Sequence, residues 1–181
     1  MNGYFQLELK DRGVYLKLIP PQESGTMCTV EDITAYLEYH NITGYNLVEI
    51  KRLLDRRAAA TLFLSGIKLP LSSEEVFIRI SEDKMQAVAK FYAPFTGGVL
   101  LDRSGIESAL ALHGITTGIK EDVIAQFLEA REYCTDYVIA EGIQPEQGKD
   151  AEIEYFFDTE LRAKPQLNED GSVDFHKLNS I

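Results

Sequence analysis

Three alternating carboxylates, Asp150, Glu152 and Glu154, have the spacing that comes nearest to a metal site. Residues two apart on a strand share a face. Together they could hold a divalent cation of the kind used in metal-dependent nucleotidyl or phosphoryl transfer. The same alternation puts Ile153, Tyr155 and Phe157 on the opposite face, which equally describes a half-buried strand with a solvated acidic side. A second constellation is basic: Lys51, Arg52, Arg56 and Arg57, with Asp55 among them. Arg52 and Arg56 are four apart, so on a helix they form one edge. An acidic protein surface could dock there; a solubilising face is the plainer reading. His40 and His113 would need carboxylate partners to bind metal, and each also suits the negative end of a helix dipole.

Other chemistry is not written in the chain. No Gly-x-Ser-x-Gly and no Cys with a nearby His is present. Gly97-Gly98 runs into Val99-Leu100-Leu101 and lacks the Lys-Ser of a phosphate loop, and no cofactor motif is found. No catalytic residue is therefore assigned. The two cysteines, Cys28 and Cys134, are far apart in sequence, which rules out a disulfide framework and a Cys-based zinc site. They read as reduced thiols in a cytoplasmic protein. Among 181 residues, 18 Lys+Arg face 29 Asp+Glu, a net charge of −11 that argues against nucleic acid. A hydrophobic fraction of 45% argues against disorder. The N-terminus has no basic, then apolar, leader, and no apolar run spans a bilayer, so no membrane partner is expected.

The elements that would position these residues come in two rounds. A shift of about 73 positions superposes Lys17 on Lys90, Pro21 on Pro94, Gly25 on Gly98, Ile33 on Ile106, Leu37 on Leu110 and His40 on His113. Each round begins with two strands joined by a short polar turn: Tyr4–Leu9 and Val14–Ile19, then Val76–Ile80 and Gln86–Tyr92. Pro21 and Pro94 stop the second strand. A helix follows, with Thr29 as N-cap in one round and Asp102 or Ser104 in the other. Asn41 and Gly114 fit the left-handed residue past its end. A second helix starts near Asn46 or Lys120, and strands at Thr61–Leu64 and Tyr137–Ala140 close the rounds. The fold class is α+β: two tandem strand-strand-helix-helix-strand modules, with mostly antiparallel sheets and helices on one face. The modules take residues 1–73 and 74–141. Residues 142–181 form an acidic tail rich in loops and strands, with a turn at Asp170-Gly171 before Val173. From Glu141 to Asp174, ten Asp+Glu face three Lys+Arg.

Five ordered pieces carry a family resemblance. They are Ile80-Ser81-Glu82-Asp83-Lys84-Met85-Gln86-Ala87, His113-Gly114-Ile115-Thr116-Thr117-Gly118-Ile119, Ile139-Ala140-Glu141-Gly142, Pro145-x-x-Gly148-x-Asp150-Ala151-x-Ile153-Glu154-Tyr155, and Glu169-Asp170-Gly171-Ser172-Val173-Asp174-Phe175. Together they resemble the N-terminal region of the bacterial flagellar assembly protein A family, over the second module and the tail. The resemblance implies a non-enzymatic interaction or scaffold module with cytoplasmic protein partners, flagellar or signalling, and a C-terminal domain following Ile181. Metal-dependent transfer through Asp150, Glu152 and Glu154 stands as the alternative.

Overall fold

A computed structural model describes residues 1–143, 148 and 166–174. In the first module, β1 (Tyr4–Lys10) and β2 (Gly13–Ile19) form a hairpin in register from Tyr4↔Ile19 to Lys10↔Gly13. Gly13 has φ +131°, and a Cβ there would strike the Ser65 carbonyl, so the turn requires glycine. β3 (Ala60–Ser65) pairs antiparallel with β2, giving the order β1-β2-β3. Alternation sends Phe5, Leu7, Leu16 and Leu18 to one buried face.

Two helices cover that face. α1 (Val30–Tyr39) opens on a full capping box: the Asp32 amide donates to Thr29 Oγ1 at 3.1 Å, and the Thr29 amide donates to Asp32 Oδ2 at 2.9 Å. α2 (Leu47–Arg56) opens on Asn46, whose Oδ1 accepts from Val48 and Glu49. Helical spacing turns Ile33, Tyr36, Leu37, Ile50 and Leu54 onto the sheet.

The second module repeats this order: β4 (Glu75–Ile80), β5 (Gln86–Tyr92), α3 (Arg103–Leu112), α4 (Glu121–Ala130) and β6 (Asp136–Glu141). Its sheet runs β4-β5-β6. Even the irregularities correspond: the register slips between Val14 and Tyr15 in one sheet and between Ala87 and Val88 in the other. Asp102 supplies the α3 cap, accepting from the Gly105 amide at 2.8 Å. Phe91 stacks on Phe127 at 3.5 Å in the core between this sheet and its helices. The molecule is thus α+β, with four helices and two antiparallel three-stranded sheets among the described residues.

These modules share one compact unit, Met1–Gln144. β5 is covered on both faces. Ala87, Ala89 and Phe91 belong to the core with α3 and α4, while Tyr92 stacks on Tyr36 of α1 at 4.7 Å. On the α1 side, Lys90 Nζ reaches Asp32 Oδ1 at 2.6 Å, His40 Nε2 lies 3.1 Å from Glu75 Oε2, and Phe77 packs on Tyr39 at 4.8 Å. The Thr96 amide also donates to the Leu7 carbonyl at 3.0 Å. A strand buried on both sides has little room for polar residues, which is why β5 keeps one lysine, and that one paired.

Burial pushes the phenols of Tyr36, Tyr92 and Tyr133 far above the ordinary tyrosine value of 10.0. The unfolded chain therefore loses these protons first. The stability tied to the neutral rings is complete below about pH 10 and declines as pH rises further. Alkaline titration should show phenolate absorbance from these three only as circular dichroism reports unfolding. Ionisation of all nine tyrosines before any loss of ellipticity would contradict this.

The second unit is Pro145–Ile181. Its described part is a hairpin of β7 (Gln166–Leu167) and β8 (Val173–Asp174), turned by Gly171 at φ +81°. The turn expected at Asp170-Gly171 is present. No helix among the described residues is long and apolar enough to cross a membrane.

Candidate functional site

At one end of the second sheet, three chain segments are tied together by backbone bonds. The first is the β4–β5 turn. Asp83 Oδ1 accepts from Ser81 Oγ and from the Met85 amide at 3.0 Å, and these bonds hold its carboxyl below the usual range. Asp83 thus stabilises its own turn. The second segment is the loop from α3 to α4. The Ile115 amide donates to the Leu110 carbonyl at 3.0 Å and the Gly114 amide to Ala111 at 2.9 Å, with Gly114 at φ +73°: a Schellman stop that the left-handed residue makes possible. The third is the end of β6. Its Glu141 amide donates to the Gly118 carbonyl at 2.9 Å, Lys120 donates to Ile139 at 2.8 Å, and Gly142 donates to Met85 at 2.8 Å.

Between these segments lies an open cleft of about 560 Å³. Its floor is apolar. Ala87 and Ala140 sit directly opposite each other in the ladder, with Met85 and Ile115 beside them. Its rim carries Glu82, Lys84, His113, Thr116 and Thr117, all exposed. Glu141 is paired with Lys120 at 2.8 Å, and that lysine holds its carboxyl below the ordinary range. The first module has Val14 opposite Ser65 at the matching rungs, and Val14 is fully buried. Two alanines therefore leave shallow space where the other sheet has a branched side chain.

Gly118 fixes the cleft wall. It has φ +69°, and a Cβ would collide with the Glu141 carbonyl oxygen. Gly118→Ala should cost about 2–3 kcal/mol in urea unfolding, from the left-handed backbone and the lost strap on β6. A cost below about 0.5 kcal/mol would show that the strap is dispensable.

The fold and this cleft define an α+β module whose distinctive surface is built from loops at one sheet end. All three pieces of the sequence resemblance that fall in the second module converge on it. The model of the Flagellar Assembly Protein A N-terminal region matches residues 76–181, more than half of the chain, and the chain belongs to that family. Neither a curated protein nor a solved structure gives a match.

The other candidate residues are placed as follows. Lys51, Arg52 and Arg56 are exposed on α2, and Arg57 follows it in left-handed conformation at φ 47°. Arg57 Nη2 contacts the Gly25 carbonyl at 3.4 Å, so it also holds the loop before α1. Asp150, Glu152 and Glu154 lie outside the described residues, and no cluster able to hold a metal occurs among the described ones. The two histidines play different parts. His40 ends α1 and is half-buried against Glu75 and Phe95, whereas His113 ends α3 and stands exposed on the cleft rim.

A polar site unmarked by any motif closes the second module. Glu74 is fully buried at its side chain and accepts from Arg131, from Tyr133 Oη at 2.6 Å and from the Leu101 amide at 2.8 Å. An acidic residue just before a strand, next to a second one at Glu75, gives no hint of this. Only the fold brings residues about 30 and 60 positions away to it.

Proposed function

We propose that the chain is a non-enzymatic interaction module of a bacterial cytoplasmic protein serving flagellar assembly or signalling, and that its partner docks in the cleft at the end of the second sheet. The observation carrying this is the convergence of three family segments on one open, apolar-floored surface with exposed polar groups around it. That is the composition of a protein-binding patch: a desolvated centre inside a polar rim. The basic edge of Lys51, Arg52, Arg56 and Arg57 adds attraction for an acidic partner surface.

A photo-crosslinking residue at Thr117 tests the cleft, with the same residue at Glu129, exposed on α4, as control. Partner adducts should form from Thr117 and not from Glu129; equal labelling removes the cleft as the docking site. Charge reversal by Arg52→Glu with Arg56→Glu should weaken capture of that partner by about tenfold, the effect of roughly 1.4 kcal/mol. Unchanged affinity at low salt would remove the basic edge and leave the cleft proposal standing.

A further inference from the structure

The cysteines, remote in sequence and in different modules, meet inside the protein. Cys28 lies in the segment entering α1, buried, with its amide donating to the Gly3 carbonyl at 3.1 Å. Cys134 lies in the turn between α4 and β6, with its amide donating to the Phe91 carbonyl at 2.9 Å. Each backbone is therefore fastened to a different module, Cys28 to the residue before β1 and Cys134 to β5. Their side chains share one apolar cluster with Phe5, Tyr92 and Phe95. The residues flanking Gly3 hold those flanking Cys134: Asn2 Nδ2 donates to Thr135 Oγ1 at 3.0 Å and Tyr4 packs on Tyr133 at 5.0 Å, which brings Cys28, bonded to Gly3, beside Cys134. We propose that Cys28 and Cys134 form an oxidisable thiol pair whose disulfide locks the first module onto the second.

The chemistry balances with a peroxide as oxidant. One thiolate attacks a peroxide oxygen and expels hydroxide, giving a sulfenic acid. The neighbouring thiol then attacks that sulfur, an S–S bond forms and water leaves. Two sulfurs are oxidised by two electrons in all, and one peroxide becomes two waters. Cys134 is the less buried of the two, so peroxide reaches it first. Its thiol is pushed up by the neighbouring Cys28 thiol and by burial, which keeps it protonated and slow at neutral pH. The pair thus stays reduced in ordinary conditions and closes under sustained oxidant.

The test treats the full chain with hydrogen peroxide or diamide, then maps its peptides by mass spectrometry. Both thiols should disappear together, with a linked peptide carrying Cys28 and Cys134, a monomer on non-reducing gels, and a mass lower by about 2 Da. The thermal midpoint should rise by about 5–15 °C and return on reduction. In Cys134→Ser, Cys28 should instead accumulate as sulfinic acid or a mixed disulfide. Intermolecular disulfides in the native chain, or two free thiols after diamide near the unfolding temperature, would overturn the pair. An intramolecular disulfide that leaves the midpoint unchanged or lower would overturn the lock.

Discussion

Glu74→Ala is expected to destabilise the protein by about 3–5 kcal/mol, measured as a lower urea midpoint with an unchanged slope. The magnitude follows from what is left behind. The carboxylate is fully buried and serves three donors: the Arg131 guanidinium, the Tyr133 hydroxyl and the Leu101 amide. Truncation strands a partly buried cation and two further donors, and the lost desolvation of such groups outweighs the value of any single bond. Tyr133→Phe, which removes one donor and leaves the ion pair, should cost only about 1 kcal/mol. Equal effects from the two variants would mean that the network is not cooperative around Glu74. The result also bears on where the folding unit begins. The family match starts at residue 76, yet Glu74 precedes it and ties the end of α4 to the segment before α3. A chain cut at residue 76 would lose this carboxylate and bare Phe77 and Tyr92, which α1 covers.

The second large effect is expected at Asp32. One carboxylate oxygen accepts from the Thr29 amide and hydroxyl at 2.9 and 2.8 Å, and the other accepts from Lys90 at 2.6 Å. Asp32→Ala removes the Asp32 half of the capping box, typically about 1 kcal/mol, and takes the nearer of two carboxylate partners from a half-buried lysine. The sum should be about 2–4 kcal/mol. Lys90 keeps Asp136 at 3.3 Å, which holds the figure below that for Glu74. In a double-mutant cycle with Lys90→Met, the coupling should be about 1–3 kcal/mol. Coupling near zero would show that the modules are held by their aromatic contacts alone. Asp32→Asn should preserve most of the cap and lose the coupling, which separates the two roles of one side chain.

Much of the local fold was legible because its causes are local. Thr29 with Asp32 caps α1, Asp102 caps α3, and Asn41 and Gly114 take the left-handed conformation past each helix, at φ 55° and 73°. Alternation marked the strands, and the polar turns marked the hairpins. These signals act within a few residues, where backbone sterics and side-chain hydrogen bonds decide. The basic edge on α2 was also legible, since helical spacing alone places Arg52 beside Arg56.

The cleft was not legible as a cleft, although its residues were. The three segments stood in the sequence as separate pieces of a resemblance. That Ala87 faces Ala140 across the ladder depends on register, and no single residue encodes register. The same holds for Glu74, whose three partners are assembled only when the second module closes on itself. It holds also for the side chains on β5, where Lys90 and Tyr92 meet α1 of the other module.

Composition, charge and periodicity determined an α+β chain of two like-ordered modules with an acidic tail, because burial of apolar faces depends on pattern alone. Only the tertiary structure decided how the modules meet, which sheet end opens as a cleft, and that Cys28 lies against Cys134. Those outcomes rest on contacts between residues distant in sequence, fixed jointly by register, packing and the pairing of buried charge.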